Sequence, residues 1–242
     1  MSRPLIAIPG RFSASASALR FRAVVNARKL LHAVYAAGGE PVTVYPHAPS
    51  GRLSVVEVAG RLAWADGLLL PGGGDLDPRR YGQDPASEHL YDIDEEQDAF
   101  DLAAAQWAAS AGIPVLAICR GVQVVNTVRG GALDQHMAEP HRDVVQPVHA
   151  THPALVELIG DRTVDISCYH HQRIGRLGDR LEVAAVAADG TVEAVVDPHA
   201  DGWFLGIQWH AEDTADEDPA QLALFRALVD QAARRAGLRP LS

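Results

Sequence analysis

Cys119 is the residue of this chain best placed to act as a nucleophile. The apolar run 113–118 (IPVLAI) predicts a buried strand, and Cys119 follows it directly. A helix is predicted to begin near Arg120 and Gly121, so the cysteine lies at a sharp strand-to-helix turn of the nucleophile-elbow type. The positive end of the helix dipole favours thiolate over thiol there. A small buried apolar residue is the ordinary alternative, and only the partners of Cys119 decide between the two.

His210 and Glu212 are the candidate base and its orienting group. A thiolate nucleophile needs an imidazole as base, and the imidazole needs a carboxylate to hold its tautomer. Both residues follow the strand-like run 203–209. The pattern His-x-Glu is weak by itself in a chain with 11 histidines. Without Cys119 it would indicate surface residues; beside Cys119 it predicts a catalytic pair.

A glycine-rich turn supplies the third component of acyl-transfer chemistry. The run 71–75 (PGGGD) follows the buried strand predicted over 67–70. Backbone N–H groups in such a turn can hold the negative charge that develops on a carbonyl oxygen. An ordinary turn is the alternative. A phosphate-binding loop is less favoured, because neither G-x-G-x-x-G nor G-K-S/T is present.

The elements that must position these groups alternate between strands and helices. Apolar runs typical of buried strands occupy residues 5–8, 41–45, 67–70 and 113–118. Apolar residues at helical spacing occupy residues 23–37, 53–64 and 94–111. This alternation predicts a parallel sheet with crossover helices. After about residue 150, short strands separated by turns predict antiparallel additions over 164–168, 181–187, 192–196 and 203–209, and a helix over 219–236 follows.

Length and composition predict one globular domain spanning residues 1–242. The chain is 48% hydrophobic and 21% charged, which is ordinary for a globular protein. A net charge of −10 argues against nucleic acid or an anionic membrane as partner. Two cysteines form no disulfide scaffold, the first apolar run is too short for a signal peptide, and no run approaches a membrane span. A cytoplasmic location is therefore expected.

Several polar residues are predicted to be structural or solvated. Three histidines match no tetrahedral zinc spacing, so a solvated loop is favoured and no metal is expected: His141, His149 and His152. The acidic residues between 92 and 98 are interpreted as the solvated start of the helix over 94–111. Cys168 is interpreted as a buried structural cysteine rather than a second reactive thiol.

Three segments taken together resemble the class I glutamine amidotransferase-like proteins. They occur in the order Pro-Gly-Gly, Cys-Arg-Gly-x-Gln and His-x-Glu. More narrowly, the runs PGGGDLDPRRYG, ICRGVQVVNTVRGGALDQ and SCYHHQ resemble the γ-glutamyl-γ-aminobutyrate hydrolase (peptidase C26) branch. The resemblance extends from Leu5 to about Ala233. It implies a flavodoxin-like three-layer α/β/α sandwich, with a mostly parallel central sheet and added antiparallel strands.

The resemblance implies a role for each matching catalytic residue. Cys119 would be the nucleophile, His210 the general base and acid, and Glu212 the group that orients His210. The backbone N–H groups of Gly73 and Arg120 would donate to the oxyanion. No cofactor is implied.

The resemblance also implies a substrate pocket. Gln123, one helical turn after the nucleophile, matches a position that holds the glutamyl group in relatives. Tyr169 and His170 match the loop on the other side of that pocket. His170 and His171 are adjacent, so on a strand they would point to opposite faces and could not both be pocket residues.

Three positions depart from the family pattern. Ala211 replaces the proline of the usual His-Pro-Glu, and the loss of a fixed φ allows a looser geometry between base and carboxylate. Gln135-His136 stands where the family often has Gln-Asp, and Ser167-Cys168 where it often has Asn-Ser. The last two departures bear on substrate preference.

The predicted function is hydrolysis of a small γ-glutamyl amide through a cysteine thioester. Two alternatives remain open: a glutaminase subunit that delivers ammonia to a separate synthetase, and a non-catalytic relative that kept the fold. The intact set of Cys119, His210 and Glu212 argues against the second alternative. The sequence is compatible with a homodimer and does not define the amine portion of the substrate.

Overall fold

The computed structural model describes residues 2–238, which form thirteen β-strands and six α-helices. The strands are β1 (Leu5–Pro9), β2 (Arg11–Ser13), β3 (Ala23–Val25), β4 (Glu40–Val44), β5 (Gly67–Leu70), β6 (Val115–Ile118), β7 (Ala132–Asp134), β8 (His141–Ala150), β9 (Thr163–His170), β10 (Arg173–Arg176), β11 (Glu182–Ala187), β12 (Val192–Val196) and β13 (Phe204–Ile207). The helices are α1 (Arg28–Ala36), α2 (Val55–Leu62), α3 (Glu95–Ala111), α4 (Arg120–Val128), α5 (Pro153–Ile159) and α6 (Pro219–Arg235). Within residues 2–238, no helix is both long enough and apolar enough to cross a membrane.

The main sheet has nine strands in the described part of the chain, in the order β4-β1-β5-β6-β13-β12-β11-β8-β9. The first five strands of this order are parallel to one another. The remaining four are joined to them by antiparallel pairings. The predicted parallel sheet with antiparallel additions is therefore confirmed.

Helices cover both faces of this sheet. Ile6 and Ile8 of β1 belong to an apolar core with side chains from α1, α5 and α6. Ala7, between them, belongs to the opposite core with side chains from α2, α3 and α4. Strands covered on both faces need apolar residues at every position, which is why the parallel strands are continuous apolar runs in the sequence. The result is a flavodoxin-like three-layer α/β/α sandwich.

Two stretches differ from the prediction. Residues 23–37 were expected to form one helix, but β3 occupies its first residues and pairs with β2, because Val24 and Val25 are β-branched and find a partner strand. The expectation of a solvated loop around His141 is wrong, since His141 is buried and opens the ten-residue strand β8. Its sequence, HRDVVQPVHA, lacks a clear apolar period, and its pairing with β9 over most of its length defines it.

The carboxyl ends of four neighbouring parallel strands meet at one edge of the sheet. Arg11 follows β1, the glycine turn follows β5, Cys119 follows β6 and His210 follows β13. Sheets of this type bind ligands outside the carboxyl ends of their strands. The fold therefore brings together the three segments that the sequence singled out.

Candidate active site

Cys119 lies in a strained turn between β6 and α4. Its backbone has φ 51° and ψ −110°, which is unfavourable for a residue with a Cβ and costs about 1–3 kcal/mol. The backbone N–H of Cys119 donates to Ile207 O over 2.8 Å, so the turn is fixed to the end of β13. A Cβ on Gly121 would lie 2.2 Å from Leu70 O, so only glycine lets α4 start this close to β5. The predicted nucleophile-elbow geometry is present.

His210 and Glu212 are paired beside Cys119. Nδ1 of His210 donates to Oε1 of Glu212 over 2.8 Å, because a carboxylate can only accept. This leaves Nε2 of the ring for Cys119, whose sulfur is close enough to raise the pKa of the imidazole. Ala211 is buried and begins a short 3₁₀ turn that brings Glu212 back to the ring. The geometry of the pair is thus kept without the usual proline.

The imidazole of His210 is held in its charged form. Burial by itself lowers the pKa of His210, but the Cys119 sulfur and the Glu212 carboxylate outweigh burial and raise this pKa to about 11. At neutral pH His210 is therefore an imidazolium beside the Cys119 sulfur. Such a pair holds both the attacking group and the proton that a leaving amine needs.

The two residues predicted to form the oxyanion hole, Gly73 and Arg120, both line the cavity at Cys119. Arg120 is the first residue of α4, so its N–H has no acceptor within the helix. Gly73 lines the same cavity as Cys119, Arg120 and His210. The structure thus brings together all five residues for which the resemblance implied a catalytic role.

A buried ion-pair network lies under the nucleophile turn. Arg120 is buried, with only 2% of its surface exposed. Its guanidinium donates to Asp98 Oδ1 over 2.6 Å and also pairs with Asp101. The expectation that the acidic residues of 92–98 are solvated is wrong for Asp98, whose side chain is fully buried. Asp98 and Asp101 are three residues apart on α3, which places both on the face toward Arg120. This spacing is the feature of the sequence that could have indicated the pair.

Arg11 extends this network to the glycine turn, and sequence reasoning missed it. Its guanidinium donates to Asp101 Oδ2 over 2.6 Å and to Gly72 O over 2.6 Å. A third donation goes to Pro71 O. Arg11 therefore orients the peptide groups that precede Gly73. Its position directly after a buried parallel strand was the only sequence signal.

Of the three predicted substrate-binding residues, the structure brings only Tyr169 to the cavity, where it is 43% exposed. The placement of Gln123 is corrected: it is a buried residue of α4 outside the cavity lining, and its amide donates to Gln208 Oε1 over 3.3 Å. The placement of His170 is also corrected. Side chains alternate along β9, so His170 points away from Tyr169 into the interior.

The cavity at this edge has a volume of about 990 Å³. Cys119 and His210 lie among its lining residues, and charged residues of both signs line it as well: Arg11, Arg22, Arg120, Asp92, Asp94 and Glu96. Four aromatic residues also line it: Phe12, Tyr45, Tyr91 and Tyr169. A site of this size and mixed polarity suits a small charged molecule.

Among the described residues, one group could hold a metal ion, and it lies outside this cavity lining. It comprises His141, Cys168, His170 and Glu193, all of them buried. The sequence indicated no metal, because these four residues follow no local spacing. They come together only through the pairing of β8 with β9 and the packing of β12.

Comparisons with known proteins identify a family and several relatives. The chain matches the family described as peptidase C26 over residues 4–212. It is 43% identical over 183 residues to "Putative glutamine amidotransferase Rv2859c" of Mycobacterium tuberculosis, and the match covers 70% of this chain but only 56% of that protein. It is 31% identical over 221 residues to the gamma-glutamyl-gamma-aminobutyrate hydrolase of Escherichia coli O157:H7, covering 83% of this chain and 84% of that protein.

The fold has solved counterparts as well. The glutaminase domain of Trypanosoma brucei CTPS, a structure with bound acivicin, superposes with a TM-score of 0.65 over 96% of this chain and 94% of that chain. At 18% identity this likeness concerns the fold alone. On the match over residues 4–212, the chain belongs to the peptidase C26 family, a class I glutamine amidotransferase-like family of cysteine-type amide hydrolases.

Gly72→Ala is expected to lower kcat by about 100-fold, because a 1 Å misplacement of a reacting group can cost that much. A Cβ at Gly72 would lie 2.8 Å from Cε1 of His210 and 3.6 Å from Cβ of Cys119, so the imidazole must move. Steady-state kinetics of amide hydrolysis measures the effect. Gly60→Ala is the matched control, since a Cβ at Gly60 meets nothing within 4 Å. Equal kcat values for the two variants would contradict the proposed position of His210.

Proposed function

We propose that this protein hydrolyses γ-glutamyl amides through a thioester on Cys119, releasing glutamate and an amine. The observation that carries the proposal is the Cys119–His210–Glu212 constellation at the mouth of a cavity, with the His210–Glu212 contact at 2.8 Å. Membership of the peptidase C26 family supports the proposal, as does the name of the E. coli relative.

In the first half of the reaction, the Cys119 thiolate attacks the γ-carbonyl carbon of the substrate. The C–S bond forms while the carbonyl π electrons move to oxygen, and the N–H groups of Gly73 and Arg120 donate to that oxyanion. The tetrahedral intermediate then collapses, breaking the C–N bond. His210 gives its proton to the leaving nitrogen, so the amine departs neutral and a thioester remains.

In the second half, water takes the place of the amine. The neutral imidazole of His210 accepts a proton from water as its oxygen attacks the thioester carbonyl. The second tetrahedral intermediate breaks its C–S bond and releases glutamate, and the Cys119 thiolate again faces imidazolium. Glu212 holds the ring in the same tautomer throughout, since it binds Nδ1 and leaves Nε2 to exchange protons.

The charges of the cavity suit a γ-glutamyl group. This group carries an α-carboxylate and an α-ammonium beyond the reacting carbonyl, so it needs donors and acceptors in one pocket. Arginine and carboxylate side chains both line the cavity. Of the three arginines in the lining, Arg11 is engaged by Asp101 and Arg120 by Asp98, so Arg22 is the one we propose for a substrate carboxylate.

A panel of γ-glutamyl amines tests the proposal, with free glutamine included and glutamate release as the readout. The purified chain alone is expected to release glutamate from at least one γ-glutamyl amine faster than from glutamine. Turnover of glutamine that requires an added synthetase would support the glutaminase alternative instead. No turnover, together with a Cys119 that iodoacetamide does not label near neutral pH, would leave only the non-catalytic alternative.

Glu212→Gln is expected to shift the alkaline limb of the kcat/KM pH profile downward by about one to three pH units. The Glu212 carboxylate helps to raise the pKa of His210, so its removal lowers that pKa. The acid that protonates the amine is the imidazolium, which is lost as pH rises through the His210 pKa; a lower pKa means an earlier loss. Glu217→Gln, an exposed glutamate nearby, is the control and should leave the limb in place.

A further inference from the structure

We propose that this protein binds a zinc ion at a second site, formed by His141, Cys168, His170 and Glu193. One ligand atom from each residue lies within 4.8 Å of all the others, and all four residues are buried. The set combines a thiol, two imidazoles and a carboxylate. These are the donors that zinc takes in proteins.

The hydrogen bond made by His170 points the lone pair of its ring toward the cluster. Nδ1 of His170 donates to Gln172 O over 3.0 Å, which leaves Nε2 of that ring unprotonated and directed at the cluster. Both ring nitrogens of His141 face carboxylate oxygens, with Nδ1 2.9 Å from Glu193 Oε1 and Nε2 3.3 Å from Asp189 Oδ2. Metal-binding histidines characteristically donate their other N–H to a carbonyl or carboxylate in this way.

Two buried polar atoms of the cluster have no hydrogen-bond partner among the described residues. They are Nε2 of His170, whose residue is 5% exposed, and Oε2 of Glu193, whose residue is 0% exposed. Within residues 2–238, Glu193 pairs with no lysine or arginine; its ionic contacts are His141 at 2.9 Å and His170 at 3.6 Å. A carboxylate this deeply buried needs a positive charge beside it.

The donor set and its geometry select the metal. Zinc–nitrogen and zinc–oxygen bonds of about 2.0–2.2 Å and zinc–sulfur bonds of about 2.3 Å place tetrahedral ligand atoms roughly 3.3–3.6 Å apart. The ligand atoms of the cluster now lie up to 4.8 Å apart. Side-chain rotations that bring the most distant two ligand atoms closer by about 1 Å would give these separations. A sulfur ligand disfavours magnesium and calcium. Four protein donors leave no open position, so the site is structural rather than catalytic.

The site would connect three strands next to the active site. His141 lies on β8, Cys168 and His170 on β9, and Glu193 on β12. Tyr169, between the two ligands of β9, lines the substrate cavity, and Ser167 O accepts the backbone N–H of His210 over 2.8 Å. The ion would therefore hold β9 where it contacts both the cavity and the base. Binding forms the metal–sulfur bond and releases the Cys168 proton to solvent.

Metal titration of the full chain tests this inference. After dialysis against a chelator, the protein is titrated with Co²⁺ and, separately, with Zn²⁺, and bound metal is counted by mass spectrometry of the digested sample. The expected result is one Zn²⁺ per chain and a near-ultraviolet sulfur-to-cobalt charge-transfer band. Zinc should also raise Tm. Absence of both the band and stoichiometric zinc would overturn the inference.

Variants assign the site, because the Cys119–His210 pair could also bind a metal. Cys119→Ala is expected to keep the cobalt band and the zinc stoichiometry. Cys168→Ser should lose the band and weaken zinc binding more than about 100-fold, with an unchanged circular-dichroism spectrum as proof of folding. The opposite pattern, with the band lost in Cys119→Ala and kept in Cys168→Ser, would place the metal at the active site and overturn the inference.

Gln146 provides a further control within the cluster. Its amide Nε2 lies 2.9 Å from His141 Nδ1 and 3.7 Å from Cys168 Sγ, so it competes with a metal for the same lone pairs. Gln146→Leu removes this donor and keeps all four ligands. It is expected to bind zinc at least as tightly as the wild type. Loss of zinc binding in a folded Gln146→Leu protein would count against a metal and for a hydrogen-bonded network.

Discussion

Cys119→Ala is expected to lower the rate of glutamate release from γ-glutamyl amides by a factor of at least about 10⁴. Alanine cannot form the thioester, and the remaining groups can only bind substrate and polarise its carbonyl. A coupled glutamate assay with the best substrate of the panel measures the loss. Release at a rate near that of the wild type would remove Cys119 from the mechanism.

Cys119→Gly separates the chemistry of this residue from its effect on stability. The backbone at φ 51° disfavours any side chain, so alanine keeps the strain and glycine relieves it. Both variants should be inactive, but Cys119→Gly should have a free energy of unfolding about 1 kcal/mol higher than Cys119→Ala. Urea unfolding of the two proteins measures the difference. An equal or reversed order would mean that the turn at Cys119 is not strained.

Asp101→Asn is expected to lower the free energy of unfolding by about 3–5 kcal/mol, the usual cost of removing one partner from a buried ion pair. Asp101 accepts hydrogen bonds from both Arg11 and Arg120, and its side chain is 1% exposed. Asparagine has nearly the same shape but no charge. Two guanidinium groups would then share only the Asp98 carboxylate, which already binds Arg120 over 2.6 Å.

Urea unfolding at neutral pH measures this destabilisation. Asp216→Asn, the same change at an exposed position, should alter the free energy of unfolding by no more than about 0.5 kcal/mol. A loss in Asp101→Asn below about 1 kcal/mol would show that water reaches the network. Because Arg11 also holds the Gly72 carbonyl over 2.6 Å, kcat of the folded variant should fall together with stability.

The sequence by itself determined the parallel strands and the residues at their ends. The runs that end at Leu70 and Ile118 are covered by helices on both faces, so every position is apolar and the strands are visible without a structure. Motif order then identified Cys119, His210 and the glycine turn. These features are local, since each depends on a few consecutive residues. That residues 1–242 form a single domain stays a prediction.

Only the tertiary structure showed which distant side chains meet. Arg11 reaches the glycine turn because β1 lies beside β5, and Asp98 is buried because α3 packs its face against Arg120. The family resemblance implied that Gln123 and His170 line the cavity, but the orientation of α4 and the alternation of β9 turn both inward.

The cluster of His141, Cys168, His170 and Glu193 depends entirely on tertiary contacts. Its members come from three strands and follow no spacing that a local pattern could contain. The Cys119 turn shows the reverse case, since its strand, its helix and its nucleophile are consecutive. Short-range sequence therefore predicted where the reacting sulfur lies. The ion pairs around the Cys119 turn depend on which strands and helices pack side by side, because burial and ion pairing arise only in the packed chain.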